Sequence, residues 1–237
     1  MTEIDDIRQW GGNAKTTYIT LGASNHTDKK RQSVDYYATD SVAIDLLRTK
    51  FVIPENVWEP AAGDGNLSKR LIELGHNVLS TDMYQHSWNE CFDGIDFLKM
   101  RWPHFMPKDN ACILTNPPYA LTEDFVEHAM EIVPDDDTPV IFLLKTLNLE
   151  GKGRYKRIFS KGWLQGIYQF VERLQCAKNN DFENMNGSAI SYAFFIFRRR
   201  TCTVPTIQWL SRDDIAAEHD AKNGEAINMD SRQLKLF

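Results

Sequence analysis

The sequence predicts an α/β protein with a doubly wound sheet, a single domain in which helices cover both faces of the strands. Short apolar runs alternate with helix-like periodicity along most of the 237 residues. A turn of small residues, Ala61 to Gly65, joins the first strong strand to a helix. Pro139 to Leu144 is apolar throughout, which is typical of a strand that is buried on both faces.

The first half of the chain is predicted to hold two helices and three strands. In order, they are a helix with Val42, Ala43, Ile44, Leu46 and Leu47 on its apolar face, a strand at Val57–Trp58, a helix from Leu67 to Leu74, a strand from His76 to Asp82 and a short strand near Ile95–Phe97. Thr39 or Asp40 is placed to cap the first helix, and Gly75 to end the second.

The second half is predicted to complete the sheet. Its elements are a strand from Ala111 to Thr115, a helix with Phe125, Val126, Ala129, Met130 and Val133 on one face, a strand from Pro139 to Leu144, and strands at Gln165–Val171 and Ala189–Phe197. Thr122 is placed to cap the helix, and we expect the last two strands to close the sheet as a pair at its edge. A short helix capped by Ser211 precedes a polar tail.

Length and composition exclude several classes of protein. A chain with 42% hydrophobic and 25% charged residues is globular in composition and long enough for one good core. No apolar stretch is long enough to span a membrane, and the acidic, polar N-terminus is unlike a signal peptide. Four cysteines lie far apart, without the spacing of a metal site, and indicate free thiols in a reducing cytoplasm: Cys91, Cys112, Cys176 and Cys202.

Charge and periodicity divide the chain into three parts. We expect an N-terminal arm at residues 1–34, one domain at 35–210, and a C-terminal helix and tail at 211–237. The net charge of −6 is unfavourable for binding nucleic acid, so the distribution of cations matters more than their sum. Basic residues cluster at Lys29–Arg31, Lys152–Arg157 and Arg198–Arg200, a pattern as typical of a solvated surface as of a phosphate-binding one.

The most specific pattern is the sequence Asn116-Pro117-Pro118-Tyr119, where an apolar strand ends at two prolines. Proline fixes φ, lacks an N–H group and biases the preceding residue to extended geometry, so neither helix nor sheet can continue. The resulting corner presents an amide side chain, backbone carbonyls and an aromatic face. Such a set suits a flat heterocycle that carries an amino group.

A small-residue turn lies upstream of this corner, within the segment Trp58 to Asn66. Small residues allow a ligand to approach the backbone, and a helix N-terminus favours an anionic group. The third glycine of a dinucleotide-binding motif is absent, because Ser68 stands in its place.

Acidic residues end the next two predicted strands. Asp82 is placed to accept hydrogen bonds from two ribose hydroxyls. Asp96 and Phe97 offer a carboxylate for the amine of an adenine and an aromatic face.

These motifs together resemble the amino-group methyltransferases that use S-adenosylmethionine, most of which act on the exocyclic amine of adenine. The resemblance rests on Asn116 to Tyr119, on the upstream Gly-rich loop, and on Asp35 to Thr39, which is similar to the segment that folds over the cofactor. That segment usually ends in Thr-Pro, whereas here Asp40 follows Thr39. The order of the motifs is similar to that of the alpha and gamma groups of DNA amino-methyltransferases, and residues 173–182 are similar to a segment of small phage-type adenine methylases.

The resemblance implies a class I, Rossmann-like fold with a mixed seven-stranded sheet whose last strand is antiparallel. It implies S-adenosyl-L-methionine as cofactor and no metal. The cofactor-binding residues that it implies are Tyr37, Ala38, Thr39, Glu59, Pro60, Ala61, Gly63, Asp82, Asp96 and Phe97. The catalytic residues that it implies are Asn116, Pro117, Pro118 and Tyr119.

The chemistry expected at this corner is hydrogen bonding and stacking, since none of its side chains is a strong base. The amide oxygen of Asn116 and the backbone carbonyl of Pro117 would accept the two amine hydrogens, more strongly as the nitrogen becomes positive. Tyr119 would stack on the target base, which must leave the duplex to reach the cofactor.

The last five residues, Gln233 to Phe237, resemble the short peptide by which bacterial replication proteins dock on the sliding clamp. Its four specified positions are Gln233, Leu234, Leu236 and Phe237. We expect these residues to bind a partner, although an apolar terminus can also pack against its own core.

Four functional interpretations remain open. DNA adenine methylation at a short or relaxed recognition site is favoured, since only a small recognition insert fits, at residues 148–161 or 179–187. RNA adenine methylation, methylation of a protein glutamine amide, and a non-catalytic DNA-binding module on the clamp are the alternatives.

Overall fold

This computed structural model describes residues 37–178 and 190–217, which contain nine strands, five α-helices and four short 3₁₀ helices. The strands are β1 Tyr37–Thr39, β2 Asn56–Glu59, β3 Asn77–Ser80, β4 Ala111–Thr115, β5 Val140–Lys145, β6 Leu164–Phe170, β7 Cys176–Lys178, β8 Tyr192–Phe197 and β9 Thr206–Leu210. The helices are α1 Val42–Arg48, α2 Asn66–Glu73, α3 Thr122–Ile132, α4 Lys152–Arg157 and α5, residues 212–217.

Seven of the strands form one sheet in the order β3-β2-β4-β5-β8-β6-β9. β2 is parallel to β3 and to β4, and β4 is parallel to β5. β8 is antiparallel to β5 and to β6, and β9 is parallel to β6. The predicted doubly wound, mixed seven-stranded sheet is therefore confirmed, with β8 as the antiparallel strand.

Helices cover both faces of the sheet, which explains why its central strands are apolar throughout. On β5, Ile141 and Leu143 pack with α1 and α2, while Phe142 and Leu144 pack with α3 on the other face. Side chains alternate between the faces along a strand, so a strand covered on both sides needs an apolar residue at every position.

Two strands differ from the prediction. Residues 95–97 do not form a strand, because the Asp96 carboxylate accepts the N–H of Leu98 at 3.1 Å and starts a 3₁₀ helix at Phe97–Lys99. The seventh strand is instead β9, which follows β8 in the chain. It escapes prediction because four of its five residues are exposed, so it lacks the apolar pattern of a buried strand.

The predicted closing pair is formed, as β6 and β8, but it does not lie at the edge of the sheet. β8 lies between β5 and β6, and β9 lies outside β6. The last strand of the sheet is thus parallel to β6, not antiparallel as expected.

Helix caps follow the sequence prediction in part. Asp40 accepts the N–H of Val42 at 3.1 Å at the start of α1, although the residue next to the helix is Ser41. Thr39 belongs to β1, so it caps no helix. Thr122 is already the first residue of α3, and its hydroxyl donates to the carbonyl of Tyr119 at 3.2 Å.

α5 begins as predicted from Ser211. The N–H of Asp213 donates to the Ser211 hydroxyl at 3.3 Å. Within the ranges 37–178 and 190–217, no helix is both long enough and apolar enough to cross a bilayer.

Candidate active site

The strands β2, β3, β4 and β5 are parallel, so their carboxyl ends lie side by side. We call this line of strand ends the edge of the sheet, and the line of amino ends the opposite edge. Three predicted segments follow these strand ends: the turn Pro60–Gly65 after β2, Asp82 after β3 and Asn116–Tyr119 after β4. Lys145 ends β5 beside them. Ligands of open α/β sheets bind at this edge, so the fold gathers these segments where a substrate can reach them.

Thr39 connects two of these segments. The amide nitrogen of Asn116 donates to the Thr39 hydroxyl at 3.1 Å, and the amide of Asn66 at the start of α2 donates to the Thr39 carbonyl at 3.2 Å. The Thr115 hydroxyl also donates to the Ala61 carbonyl at 3.4 Å. These bonds hold the end of β4 against the small-residue turn and fix the Asn116 side chain.

Thr39 is itself held by a second, two-stranded sheet in which β1 pairs antiparallel with β7. Thr39 lies opposite Cys176, and the N–H of Asp40 donates to the carbonyl of Gln175 at 3.0 Å. Tyr37 and Ala38 occupy the other two positions of β1. The segments at 35–39 and 173–182, each similar to a different segment of the methyltransferases that the sequence resembles, are therefore direct neighbours where described.

The Tyr119 side chain is fixed at both its hydroxyl and its ring. Its hydroxyl donates to that of Tyr192 at 3.0 Å, and burial raises the pKa of Tyr119 far above its usual value. The Lys145 ammonium lies 3.8 Å from the ring centroid, in a cation–π contact. Stacking of a base on this face of Tyr119 therefore requires Lys145 to leave it.

The corner between these residues has the geometry that two prolines impose. Pro117 is buried and Pro118 is extended, with φ −54° and ψ 124°. The chain then turns into a 3₁₀ helix at Tyr119–Leu121. Asn116 is half-buried at the entrance of this corner.

Asp82 is tied to the backbone of two loops. One carboxylate oxygen accepts the N–H of Gly63 at 2.9 Å and the other accepts the N–H of Tyr84 at 2.8 Å. The His86 ring approaches the same carboxylate, with Nε2 3.5 Å from Oδ1. Each carboxylate oxygen can accept a second hydrogen bond, so Asp82 can serve both the turn and a hydroxyl ligand.

The loop after β3 packs onto the small-residue turn, a contact absent from the sequence prediction. Gly65 has φ +75°, and a Cβ atom there would lie 1.9 Å from the Trp88 ring. Asp64 accepts both the N–H and the hydroxyl of Ser87, at 3.2 and 2.8 Å. The close approach that Gly65 permits is therefore made by Trp88. Trp88 stands among polar residues in the sequence, and this isolated large aromatic residue is the sequence feature that could have indicated a packing contact by this loop.

Glu59 points into the protein at the end of β2. It is 2% exposed and accepts the hydroxyl of Ser68, which contacts that of Ser80 at 2.6 Å. Burial raises the pKa of Glu59 to about 8. This predicted cofactor residue thus carries a largely protonated carboxyl group that joins β2 to α2.

Replacing Glu59 by glutamine is expected to change how stability depends on pH. Glu59 binds a proton in the folded state up to pH about 8 but in the unfolded state only to about 4.5. Wild-type stability should therefore fall as pH rises between these values, by at most about 1.4 kcal/mol per pH unit, relative to Glu59→Gln. Urea unfolding over this range measures it, with exposed Glu55→Gln as the control. Parallel curves for wild type and Glu59→Gln would contradict the expectation.

Asp96 and Phe97 make contacts that stabilise the fold. Asp96 pairs with Lys99 at 2.9 Å, and this partner lowers the pKa of the Asp96 carboxyl. Phe97 is 2% exposed and packs edge-on against Trp58 at 5.3 Å. The aromatic face predicted for a ligand is thus used in the core beneath the site.

The third basic cluster lies away from the site. β8 is antiparallel to β5, so Arg198–Arg200 follow it at the opposite edge of the sheet. There Arg199 pairs with Asp136 at 2.6 Å and Arg200 with Asp137 at 2.9 Å.

Several predicted features lie outside the described residues. They are Lys29–Arg31, the insert at 179–187, and the tail residues Gln233, Leu234, Leu236 and Phe237. In the part of the chain that the structure covers, no group of three or more His, Cys, Asp or Glu residues is arranged to hold a metal ion.

Comparison with known proteins identifies the fold. No family model and no curated protein match the sequence. The modification subunit of a provisionally assigned type I restriction enzyme from Vibrio vulnificus aligns with a TM-score of 0.50 at 13% identity, over 76% of this chain and 48% of that one. A provisionally assigned RNA methyltransferase from Pyrococcus horikoshii aligns with a TM-score of 0.50 at 17% identity, over 79% of this chain and 98% of that one.

A third solved structure, a provisionally assigned class I S-adenosylmethionine-dependent methyltransferase from Listeria monocytogenes, has a TM-score of 0.48 at 13% identity, over 87% of this chain and 76% of that one. The chain spans about half the length of the restriction-system subunit. At these identities the likeness shows the fold alone, the Rossmann-like sheet that this chain shares with the Vibrio vulnificus and Pyrococcus horikoshii proteins.

Proposed function

We propose that this chain transfers a methyl group from S-adenosylmethionine to the exocyclic N6 amine of adenine in DNA, at a short or relaxed recognition site. The observation that carries the proposal is the position of Asn116. Its amide nitrogen is held by Thr39 at 3.1 Å, beside the small-residue turn and the Tyr119 ring. The proposal is supported by the position of this amide after the carboxyl ends of parallel strands, where open α/β sheets generally bind their ligands.

The residues at this edge fit S-adenosylmethionine. Asp82 is a buried carboxylate at the end of β3, where hydroxyl groups of a ribose can donate to it. The turn Pro60–Gly63 exposes little side chain, so a ligand can approach its backbone. The Asp96 carboxylate, about a quarter exposed, is able to accept from an adenine amine. When bound, the cofactor supplies an electrophilic methyl group on a positively charged sulfur.

Asn116 orients the target amine. Because Thr39 holds the amide nitrogen, the amide oxygen is the atom that can accept an amine hydrogen, and the Pro117 carbonyl can accept the other. Both bonds strengthen as the nitrogen becomes positive, so they favour the transition state. Asn116 and Pro117 would thereby hold the nitrogen lone pair toward the methyl group that the cofactor would supply, and the surplus proton on the nitrogen would leave to water.

The Tyr119 ring would stack on the target base and so fix the orientation of its plane. Its hydroxyl bond to Tyr192 keeps the ring in place, so a flat base that displaces Lys145 finds a fixed aromatic surface. The base must leave the duplex to reach this surface. Stacking and the two hydrogen bonds together define a flat heterocycle with an exocyclic amine.

RNA adenine methylation is the second candidate. The Pyrococcus horikoshii protein, provisionally named an RNA methyltransferase, is covered over 98% of its length. The clamp-like tail at Gln233–Phe237 favours DNA, and we place docking of that tail on a bacterial sliding clamp within the proposal. Methylation of a protein glutamine amide would use the same corner.

The experiment is methyl transfer from labelled cofactor to duplex DNA, single-stranded DNA, RNA and a protein extract. Label on adenine in duplex DNA supports the proposal. Label on RNA or protein alone would support methyl transfer by this chain but would contradict DNA as its substrate. If the cofactor binds but no label is transferred to any acceptor, the chain is not this enzyme.

A further inference from the structure

The segment that follows β5 exposes apolar side chains beside the candidate site. Residues 146–157 form a 3₁₀ helix, a short turn at Gly151 and α4. Leu147 is 64% exposed, Leu149 46% and Tyr155 64%. We call residues 146–157 the post-β5 segment. Three large apolar side chains exposed within so short a stretch make the post-β5 segment a candidate contact surface.

The post-β5 segment is anchored by residues other than these. Arg154 pairs with Glu123 of α3 at 3.0 Å, and Arg157 pairs with Asp124 at 2.6 Å. The Asn148 amide donates to the Lys145 carbonyl at 3.0 Å and is buried. The backbone of the post-β5 segment is therefore fixed by Asn148, Arg154 and Arg157, and the exposed apolar side chains are not needed to hold it.

Two cations of the segment remain available for a partner. Lys152 and Lys156 are exposed, and no ion pair joins either to another residue of the described ranges. They are four positions apart on α4, so they lie on one face of the helix. The two arginines between and beyond them are already paired with acids of α3.

The location of the segment connects it to the predicted target base. It begins directly after Lys145, whose ammonium lies on the Tyr119 ring. β5 is parallel to β4, so the segment leaves the same edge of the sheet as Asn116. A duplex whose base reaches Tyr119 must pass close to this surface.

We propose that the post-β5 segment is the surface that holds duplex DNA around the target nucleotide, an inference that rests on the proposed function. Lys152 and Lys156 contact phosphates, and Tyr155 packs against the bases that flipping unstacks. The chain has a net charge of −6, so local cations are needed where the duplex lies. Apolar side chains that fill the disturbed stack are a common means of stabilising an extruded base.

Binding of a fluorescent mixed-sequence duplex, measured by anisotropy over a range of salt, tests the two lysines. Lys152→Ala and Lys156→Ala should each lower the slope of log Kd against log salt by about 0.9. Lys108→Ala is the matched control, because Lys108 is an exposed lysine that precedes β4 at the opposite edge. Unchanged slopes in both lysine variants, or equal changes in the control, would overturn the proposal.

Tyr155 is tested by binding of the same duplex. Tyr155→Ala should weaken duplex binding roughly tenfold, and Tyr155→Phe should restore it, because the aromatic ring is what packs on the bases. Duplex affinity equal to wild type in Tyr155→Ala would overturn this part.

Duplex binding by the variants and methyl transfer by the wild-type protein test this surface and the proposed function separately. Wild-type enzyme that methylates duplex DNA while all three variants bind it normally would leave the function in place and remove this surface. Wild-type enzyme that methylates only RNA or protein would refute the DNA substrate and this surface together. If Lys152→Ala, Lys156→Ala and Tyr155→Ala bind the duplex more weakly and Lys108→Ala does not, the surface is supported even before the methylated atom is known.

Discussion

Asn116→Ala is expected to lose about 10²- to 10³-fold in the rate of methyl transfer, with the fold and cofactor binding retained. The side chain supplies a hydrogen-bond acceptor that becomes stronger as the amine nitrogen turns positive, and removing one such preorganised contact typically costs this much. Alanine removes the amide, so the Pro117 carbonyl alone remains of the two expected acceptors for the amine hydrogens. Single-turnover transfer to duplex DNA measures the chemical step, and thermal unfolding checks the fold.

Two further variants sharpen the interpretation. Thr39→Val removes the hydroxyl that accepts from the Asn116 amide at 3.1 Å, so the amide loses one of the contacts that orient it and a smaller loss of rate is expected. Asn77→Ala, at the amino end of β3, changes an exposed asparagine at the opposite edge of the sheet and should leave the rate unchanged. A full rate in Asn116→Ala would remove the amide from the mechanism.

Gly65→Ala is expected to destabilise the protein by about 2–4 kcal/mol. An alanine at φ +75° costs roughly 1 kcal/mol or more. Its Cβ would also lie 1.9 Å from the Trp88 ring, and overpacking of this kind costs about 1–3 kcal/mol. Because the turn also holds the Gly63 N–H that donates to Asp82, activity should fall with stability.

Urea unfolding of four variants separates the two costs: Gly65→Ala, Gly94→Ala, Trp88→Ala and the double variant of Gly65 and Trp88. Gly94 has φ +76°, and a Cβ atom added there would meet nothing within 4 Å, so Gly94→Ala should show the backbone cost alone. In Gly65→Ala with Trp88→Ala the collision is absent, and the double variant should be less destabilised than the sum of the single ones. Additive costs would show that Trp88 does not press on Gly65.

The sheet is predictable from sequence wherever a strand is buried on both faces. β4 and β5 are apolar runs bounded by turn residues, and their predicted bounds agree with the structure to within a residue. Ile95–Phe97 has an apolar residue on either side of an acid, a strand-like alternation, yet Asp96 caps a 3₁₀ helix there and Phe97 enters the core. β9 has one buried residue in five, so no pattern of burial marks it.

The segments of the site are predictable, but their mutual contacts are not. Motif order places Pro60–Gly65 and Asn116–Tyr119 at strand ends, and parallel strands bring such ends together. The Thr39–Asn116 bond, the Trp88–Gly65 contact and the Lys145–Tyr119 contact each join residues far apart in sequence. No local pattern encodes them, because each depends on how loops fold over the finished sheet.

Pairing of β1 with β7 also determines when during synthesis the site can form. The strands β2 to β5, with the Gly-rich turn and Asn116, leave the ribosome before β7 does, and chains generally fold from the N-terminal end as they emerge. Thr39 gains its partner Cys176 only after that point. A nascent chain therefore carries both motifs before the strand that pairs with Thr39, so we expect the contacts around Asn116 to be completed late in synthesis, by a pairing between distant segments.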